Sequence, residues 1–319
     1  MSSPLLKEIA RRILLGMLML LGVSMLIFAG TQILPGDVAQ AILGQSATPE
    51  ALANLRRDMG LNEPATVRYW HWLSNAATGD FGKALSNGQE ISTALGKRFS
   101  NTVFLAASAA VIAVPLAILL GVVAVRYRNG FIDRLISGLG LASTSLPAFF
   151  VGYVLMYFFA VKLQWVTSVS TVFDGMPLSE RLAAIILPVA VLTTEVLAHM
   201  MRMTRAAILN VMQSAYIETA ELKGLTGLQI IYRHALPNAL APIINVVMLN
   251  MAFLVVGVVV VEVIFVYPGM GQYLVDHVAT RDIPVVQACG LVFATVYIGM
   301  NIIADIAGVM SNPRLRHPK

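Results

Sequence analysis

Charged residues are scarce in this chain of 319 residues: Lys, Arg, Asp and Glu make up 12% of it, about half the share in ordinary soluble domains. Hydrophobic residues make up 57%, and the mean hydropathy is +0.76. So little charge cannot cover the surface of a soluble protein of this size, which excludes a soluble enzyme and a disordered chain. The single cysteine, Cys289, allows no internal disulfide and no cysteine-based metal site. These deficits indicate an integral membrane protein.

The sequence also lacks the motifs of a catalytic or metal site. No Gly-x-x-x-x-Gly-Lys-[Ser/Thr] phosphate loop occurs, so any ATP is expected to be hydrolysed on another polypeptide. No Gly-x-Ser-x-Gly motif is present, and the histidines show no His-x-x-x-His or Glu-x-x-His spacing. We therefore predict no catalytic residue, no metal and no cofactor in this chain.

What the sequence has in abundance is long apolar runs. A membrane helix needs about 20 largely apolar residues, and six stretches meet this length: 13–33, 101–125, 135–161, 182–201, 240–266 and 286–309. The first run is too long for the apolar region of a signal peptide and is not followed by a small-residue cleavage site. The predicted fold is therefore an all-α, six-span integral membrane protein.

The basic residues predict the orientation of these spans. Thirteen of the 22 Lys and Arg residues lie before span one, between spans two and three, between spans four and five, or after span six. The two short loops on the other side hold only Lys162, Arg181 and Arg281. By the positive-inside rule, both termini are cytoplasmic. Because this bias accounts for the net charge of +5, no nucleic-acid partner is predicted.

The external segment 34–100 is long and contains helix signals of its own. Thr48-Pro49-Glu50 predicts an N-cap and first turn for a helix over Ala51–Met59, with Gly60 after its end. A second helix is predicted over Ala65–Ala77, and Thr78-Gly79-Asp80-Phe81-Gly82 indicates a turn. Two interpretations remain open: a packed cap over the span ends with aromatic anchors, or a lid or docking surface for an external partner.

The cytoplasmic segment 202–238 is the most informative part of the chain. Ala215–Lys223 is predicted to form a short helix, and Gly224 a left-handed turn out of it. A second short helix is predicted over Leu225–His234, with Pro237 ending it before span five. The alternative, a basic loop binding anionic headgroups, is weak because few positive charges are spread over nearly forty residues.

This segment resembles the "EAA" loop in the permease subunits of ATP-binding-cassette (ABC) importers. The family pattern is Glu-Ala-Ala, three residues, Gly, nine residues, an apolar residue, any residue, Leu and Pro. The matching positions here are Glu218, Thr219, Ala220, Gly224, His234, Leu236 and Pro237. Thr219 replaces an Ala, and His234 replaces an aliphatic residue in a way that resembles the peptide-importer branch.

Other segments resemble landmarks of the same peptide/nickel class in the same order along nearly the whole chain. They are Leu34-Pro35-Gly36-Asp37, Gly79-Asp80-Phe81-Gly82, Arg202-Met203-Thr204-Arg205, Glu262 with Tyr267-Pro268-Gly269-Met270-Gly271, Arg281-Asp282-Ile283-Pro284, Asn301 with Asp305, and Asn312-Pro313-Arg314-Leu315-Arg316. The resemblance implies the type I ABC importer (MetI-like) permease fold, with residues 1–100 as span one plus the external segment and 101–319 as a five-helix core.

The resemblance also implies a set of partners and a location. These are a second homologous permease, two ATP-binding subunits that carry ATP and Mg, an external solute-binding protein and membrane lipid, in a bacterial inner membrane. The implied function is ATP-driven import from the binding protein, with peptide as the expected substrate. The alternative is an ion-gradient-driven secondary transporter, which would favour repeated broken helices and midplane carboxylates; the two halves of this chain share no motif.

Polar residues inside the spans are further candidates, because burying them in a membrane is expensive. Glu195 and His199 lie four apart on span four and are expected to pair. Glu262 lies near the external end of span five, where a structural role and a role near a gate are both open. Asn301 and Asp305 are expected to tie span six to a neighbour by hydrogen bonds.

Overall fold

The computed structural model describes residues 3–33, 47–58 and 63–311, and every regular element among them is helical. The α-helices are α1 Ser3–Ile33, α2 Pro49–Asp58, α3 Ala65–Ala77, α4 Ile91–Arg126, α5 Phe131–Ser145, α6 Ala148–Leu155, α7 Leu178–Ala184, α8 Ile186–Met212, α9 Ala215–Leu222, α10 Gly227–Ile230, α11 Leu236–Ile264, α12 Met270–Ala279 and α13 Ile283–Ser311. Two π-helical turns lie at Met156–Lys162, after α6, and at Ile231–Ala235, between α10 and α11. The motifs at 34–37 and 312–316, and the predicted helix end at Met59 and Gly60, lie outside the described residues.

Five helical stretches are long and apolar enough to cross a membrane: Lys7–Ile33, Ile91–Arg126, Ile186–Met212, Gly227–Ile264 and Ile283–Gly308. The predicted single span over 135–161 is instead two helices, α5 and α6, bent by 103°. Leu146 between them has φ −96° and ψ 129°. Pro147 explains this extended backbone, because a proline disfavours the helical conformation of the residue before it.

The bent pair still crosses from one end of the bundle to the other. At its start, Asp133 pairs with Arg205, near the C-terminal end of α8. Beyond its end, Asp174 pairs with Lys97, near the N-terminal end of α4. Since Gly121, near the C-terminal end of α4, packs against Thr204, these two ion pairs lie at opposite ends of the bundle. The pair therefore counts as one span and gives six in all.

Helix α8 lies at the centre of the bundle and α1 at its edge. In the apolar stretch that could cross a membrane, 56% of the residues of α8 are buried, but only 17% of those of α1. The most extensive helix pair is α4 with α8. A row of small residues lies along the buried face of α4: Ala106, Ala109, Ala113, Ala117 and Gly121. Small side chains let membrane helices approach closely. Such close packing favours association of helices in lipid, where the hydrophobic effect does not drive them together.

In the external segment, helix α3 packs on α1, and Phe81 and Ala84 pack against α12. The Thr48 hydroxyl accepts a hydrogen bond from the Ala51 N–H at 3.2 Å, which confirms the predicted N-cap. The second helix has the predicted bounds, Ala65–Ala77. Its Tyr69 hydroxyl lies 2.8 Å from the Ser24 hydroxyl, and its ring meets that of Phe28 edge to face. The predicted domain boundary at residue 100 lies within α4, and the division stays a prediction.

Candidate functional site

The segment with the "EAA" pattern folds around a left-handed glycine. Helix α9 ends at Leu222, one residue before the predicted end, and Gly224 has φ +79°. The Gly224 N–H donates to the Glu221 carbonyl at 2.8 Å, and the Leu225 N–H donates to the Ala220 carbonyl at 3.3 Å. This pair of bonds is a Schellman C-cap, which needs a residue with positive φ at its turn. The sequence therefore predicted the conformation of Gly224 correctly.

The second short helix of this segment differs from the prediction. Thr226 and Gln229 form a capping box that starts α10 at Gly227, but no helix ends at Pro237. Instead α10 continues through the π-helical turn Ile231–Ala235 into α11, giving one helical stretch over Gly227–Ile264. Pro237 lies just after the π-helical turn, where the Leu236 N–H bonds the Ile231 carbonyl and the regular α-helical ladder is already interrupted, so the missing N–H of proline does not end the helix. The predicted break at Pro237 is wrong for this reason.

The two short helices have one buried face and one exposed face. Ile217, Ala220 and Ile230 form a small buried cluster, against which Met212 and Leu225 pack. The exposed side of the segment, including the π-helical turn, carries four large apolar side chains among polar ones: Leu222 85%, Tyr232 52%, Leu228 46% and Tyr216 44% exposed. Among the predicted residues, Glu218, Thr219, Gly224 and Pro237 are exposed, Ala220 is buried, and His234 and Leu236 are half-buried. We call this exposed side, with its four large apolar side chains, the outer face of the segment.

A cavity of about 560 Å³ opens between the spans, beside the break in the third span. Helices α5, α6, α8, α11 and α13 all contribute to its lining, because the bend at Pro147 turns the end of α5 and the start of α6 towards it. Its polar side chains are Ser143, Thr144, Thr194, Glu195, His199, Asn250, Tyr297 and Asn301.

The predicted pair of Glu195 with His199 is wrong. The Asn250 side chain on α11 lies within hydrogen-bond distance of His199 Nδ1, with its amide nitrogen at 3.2 Å. Glu195 Oε2 is buried and has no hydrogen-bond partner in the described part of the chain. Helical spacing places both side chains on one face of α8, but the neighbouring helix supplies the closer partner for the imidazole. Both residues line the cavity.

Glu262 is fully buried and ties three elements together near the C-terminal end of span five. Its Oε1 accepts from the Thr102 hydroxyl of α4 at 2.6 Å, and its Oε2 accepts from the Gly271 N–H at 2.7 Å and the Gln272 N–H at 3.2 Å. The carboxylate thereby caps the free N–H groups at the start of α12. A Cβ at Gly269 would overlap the Glu262 carboxylate, so this turn of the Tyr-Pro-Gly-Met-Gly motif requires glycine.

Tyr267 and Pro268 of the same motif are hydrogen-bonded to Asn101 of α4. The Tyr267 hydroxyl donates to the Asn101 carbonyl at 2.9 Å, and the Asn101 amide donates to the Pro268 carbonyl at 2.9 Å. Burial raises the pKa of Tyr267 to about 12, so the phenol stays a neutral donor at any physiological pH. The motif is therefore a rigid connection between α4, α11 and α12.

The comparisons with known proteins agree with this architecture. A family described as "Binding-protein-dependent transport system inner membrane component" matches residues 91–317, and its N-terminal companion matches residues 5–118. The chain belongs to this family. It is 32% identical to a probable peptide ABC transporter permease protein of Sinorhizobium fredii, over 97% of this chain and 99% of that protein.

It is also 34% identical to the glutathione transport system permease protein GsiC of Escherichia coli K12, over 92% of this chain and 94% of that protein. The GsiC protein of Salmonella typhimurium is 34% identical over 93% and 95% of the two chains. The chain is therefore a permease subunit of an ABC importer in the inner membrane, with the type I fold expected from its sequence.

In this permease the two polar residues of span six have different partners. Asp305 forms an ion pair with Arg12 of α1, so it ties span six to span one as predicted. Asn301 donates to the Tyr297 carbonyl of its own helix at 2.8 Å and lines the cavity instead. The expected tie between helices therefore holds for Asp305 and is wrong for Asn301.

An ion pair between Asp133 and Arg205 was not singled out from the sequence. Arg205 Nε and Nη2 donate to Asp133 Oδ1 and Oδ2 at 2.8 and 2.7 Å, and the Asp133 side chain is 7% exposed. The pair joins the third span to the end of the fourth, because α8 continues to Met212 rather than ending near residue 201 as predicted. The sequence places Asp133 and Arg205 in segments expected on the same side of the membrane. That placement does not tell which acidic residue pairs with which basic residue.

Proposed function

We propose that this permease imports peptides and that an ATP-hydrolysing subunit drives it by docking on the outer face of segment 215–238. The observation that carries this proposal is the outer face itself, where Leu222 is 85% exposed although an apolar side chain gains nothing from facing the cytoplasm. Support for peptide comes from the relatives named for peptide and for glutathione, which is itself a tripeptide.

The proposal includes further partners. The solute-binding protein delivers substrate on the external side, while ATP and Mg bind to two ATPase subunits and not to this chain. A second, homologous permease completes the pathway. Closure of the ATPase pair on ATP would displace α9 and α10 and switch the spans between two arrangements.

The orientation proposed for this assembly has both termini in the cytoplasm. It is supported by the distribution of basic residues and by the even number of crossings, in which α5 and α6 together make one. Segment 215–238 then faces the ATPase, and the α12 turn held by Glu262 faces the solute-binding protein.

A matched pair of proline variants tests the docking proposal. Gly224→Pro cannot adopt φ +79° because proline fixes φ near −65°, so it should abolish the Schellman cap and displace the outer face. Gly227→Pro is the control, because Gly227 is the first residue of α10 and Thr226 before it has ψ 151°, which suits proline.

Each tagged variant is purified from gently solubilised membranes, and co-purifying proteins are identified by mass spectrometry. We expect the wild type and Gly227→Pro to retain the ATPase, and Gly224→Pro to lose at least nine-tenths of it while still reaching the membrane. Glu218→Lys should also uncouple transport, because it reverses a charge on the docking helix. Equal ATPase recovery in both proline variants would contradict the proposal, as would uptake that ignores ATP and collapses with an ionophore.

A further inference from the structure

We propose that Glu195 binds the primary ammonium group of the substrate inside the cavity between the spans, a proposal that rests on peptide being the transported substrate. The cavity, about 560 Å³, is of the size of small-molecule sites in proteins. Its lining contains one carboxylate, Glu195, and no Lys or Arg. The charge that it offers a solute is therefore negative.

The hydrogen bonds of the lining leave Glu195 available. Ser143 donates to the Thr194 carbonyl at 3.0 Å, Thr194 to the Val191 carbonyl at 2.7 Å, and Thr144 to the Leu141 carbonyl at 3.0 Å. Asn250 donates to the Val246 carbonyl at 2.7 Å in addition to its contact with His199. Among the described residues of the lining, the buried side-chain oxygen without a partner is Glu195 Oε2.

An unpaired carboxylate between membrane helices carries a desolvation cost that a structural residue would relieve with a permanent partner. Here the nearest helix offers none, because Gly257 of α11 faces the carboxylate, and both carboxylate oxygens lie 3.7 Å from the position that a Cβ there would occupy. The absent side chain keeps room beside Glu195 for a group that arrives from the cavity.

A primary ammonium fits this site better than a metal ion. The described residues contain no group of three His, Cys, Asp or Glu side chains placed to hold a metal. An ammonium has three donors and is matched by one carboxylate oxygen together with neutral acceptors. Every peptide with a free amino terminus carries this group, so the site would accept many sequences through the one feature that they share.

The test uses Thr144→Cys as a reporter in the cavity, in a Cys289→Ser background, within the complete importer. Thr144 is exposed to the cavity and bonds only a carbonyl of its own helix among the described contacts. The importer is placed in bilayers of phosphatidylcholine and phosphatidylglycerol, which carry no primary amine. The rate of maleimide alkylation of the cysteine is measured with trialanine, with N-acetyl-trialanine and without peptide. Uptake of trialanine is measured in parallel.

We expect trialanine to slow alkylation at least threefold and the acetylated peptide to leave the rate unchanged. Glu195→Gln should abolish the protection by trialanine. The matched control Glu180→Gln, the same change at an exposed residue outside this cavity, should preserve it.

Equal protection by both peptides that survives Glu195→Gln would overturn the role of Glu195. Absence of protection in an importer that takes up trialanine would overturn the cavity site and leave the proposed function standing. An importer that takes up no peptide would overturn the proposed substrate, and this inference with it.

Discussion

At the scale of single residues, Glu262 joins three helices through one buried carboxylate. Its carboxylate accepts hydrogen bonds from Thr102 on α4 and from two backbone N–H groups of α12. The sequence identifies Glu262 as an acid in a span, but its partners follow only from the fold, because Thr102 lies 160 residues away in the chain. The structure therefore assigns Glu262 a capping role. The sequence alone had left a structural role and a role near a gate both open.

Glu262→Ala should lower the free energy of unfolding of the purified permease by about 2–4 kcal/mol, because it leaves two buried donors and one half-buried donor without an acceptor. Glu262→Gln should retain part of the stability, since its amide oxygen still accepts. The measurement is thermal unfolding in detergent, with Glu180→Ala, at an exposed position, as the control. A melting temperature within 1 °C of wild type for Glu262→Ala would contradict the capping role.

The residues of the "EAA" segment illustrate what local patterns can predict. Gly224 was predicted correctly because a C-cap depends on a few consecutive residues. Glu195 and His199 were paired wrongly because helical spacing gives the face of a side chain and not what the next helix brings to it. The functional roles of Glu218, Thr219, Ala220, His234, Leu236 and Pro237 stay predictions.

At the scale of helices, close packing of α4 on α8 holds the centre of the bundle. A Cβ added at Gly121 would lie 2.8 Å from Thr204 Cγ2 and 3.3 Å from the Arg205 backbone nitrogen. Spans four and two were predicted from apolar length alone, and length does not tell which helices meet. The same limit applies to the third span, where apolar length predicted one helix and not a bend of 103° at Pro147.

Gly121→Ala should destabilise the bundle by about 1–3 kcal/mol through overpacking between α4 and α8. Gly138→Ala is the matched control, because Gly138 lies in the exposed part of α5 with open space around its Cβ position. There, alanine should stabilise the helix by about 0.5–1 kcal/mol. Thermal unfolding of the two variants should shift in opposite directions, and parallel shifts would refute this account of the interface.

At the scale of the whole molecule, the crossing of α5 and α6 decides on which side the termini lie. With six crossings, both termini lie on the same side of the membrane. If α5 and α6 did not cross, five crossings would place the termini on opposite sides. Apolar length predicted six spans, and the ion pairs of Asp133 and Asp174 at opposite ends of the bundle support the same count. The bend itself required the folded structure.

Cysteines at two equally exposed positions test the orientation in whole cells that lack the ATPase partner. Asp174→Cys and Leu222→Cys replace side chains that are 84% and 85% exposed. We expect a membrane-impermeant maleimide to label Asp174→Cys in intact cells and Leu222→Cys only after permeabilisation. The wild type, whose Cys289 is buried, is the unlabelled control. The reverse pattern would invert the proposed topology.

The continuous helical stretch Gly227–Ile264 has a mechanical consequence. Its 38 residues give a rod about 57 Å long at 1.5 Å per residue, with the proposed ATPase contact at one end and Glu262 at the other. A tilt of about 10° around its middle would move each end by about 5 Å. Binding at the two ends is then linked: if the loaded binding protein and the ATPase favour the same tilt, each raises the affinity of the permease for the other by the same factor. Cargo-loaded binding protein on one side would in this way strengthen the contact with the ATPase on the other.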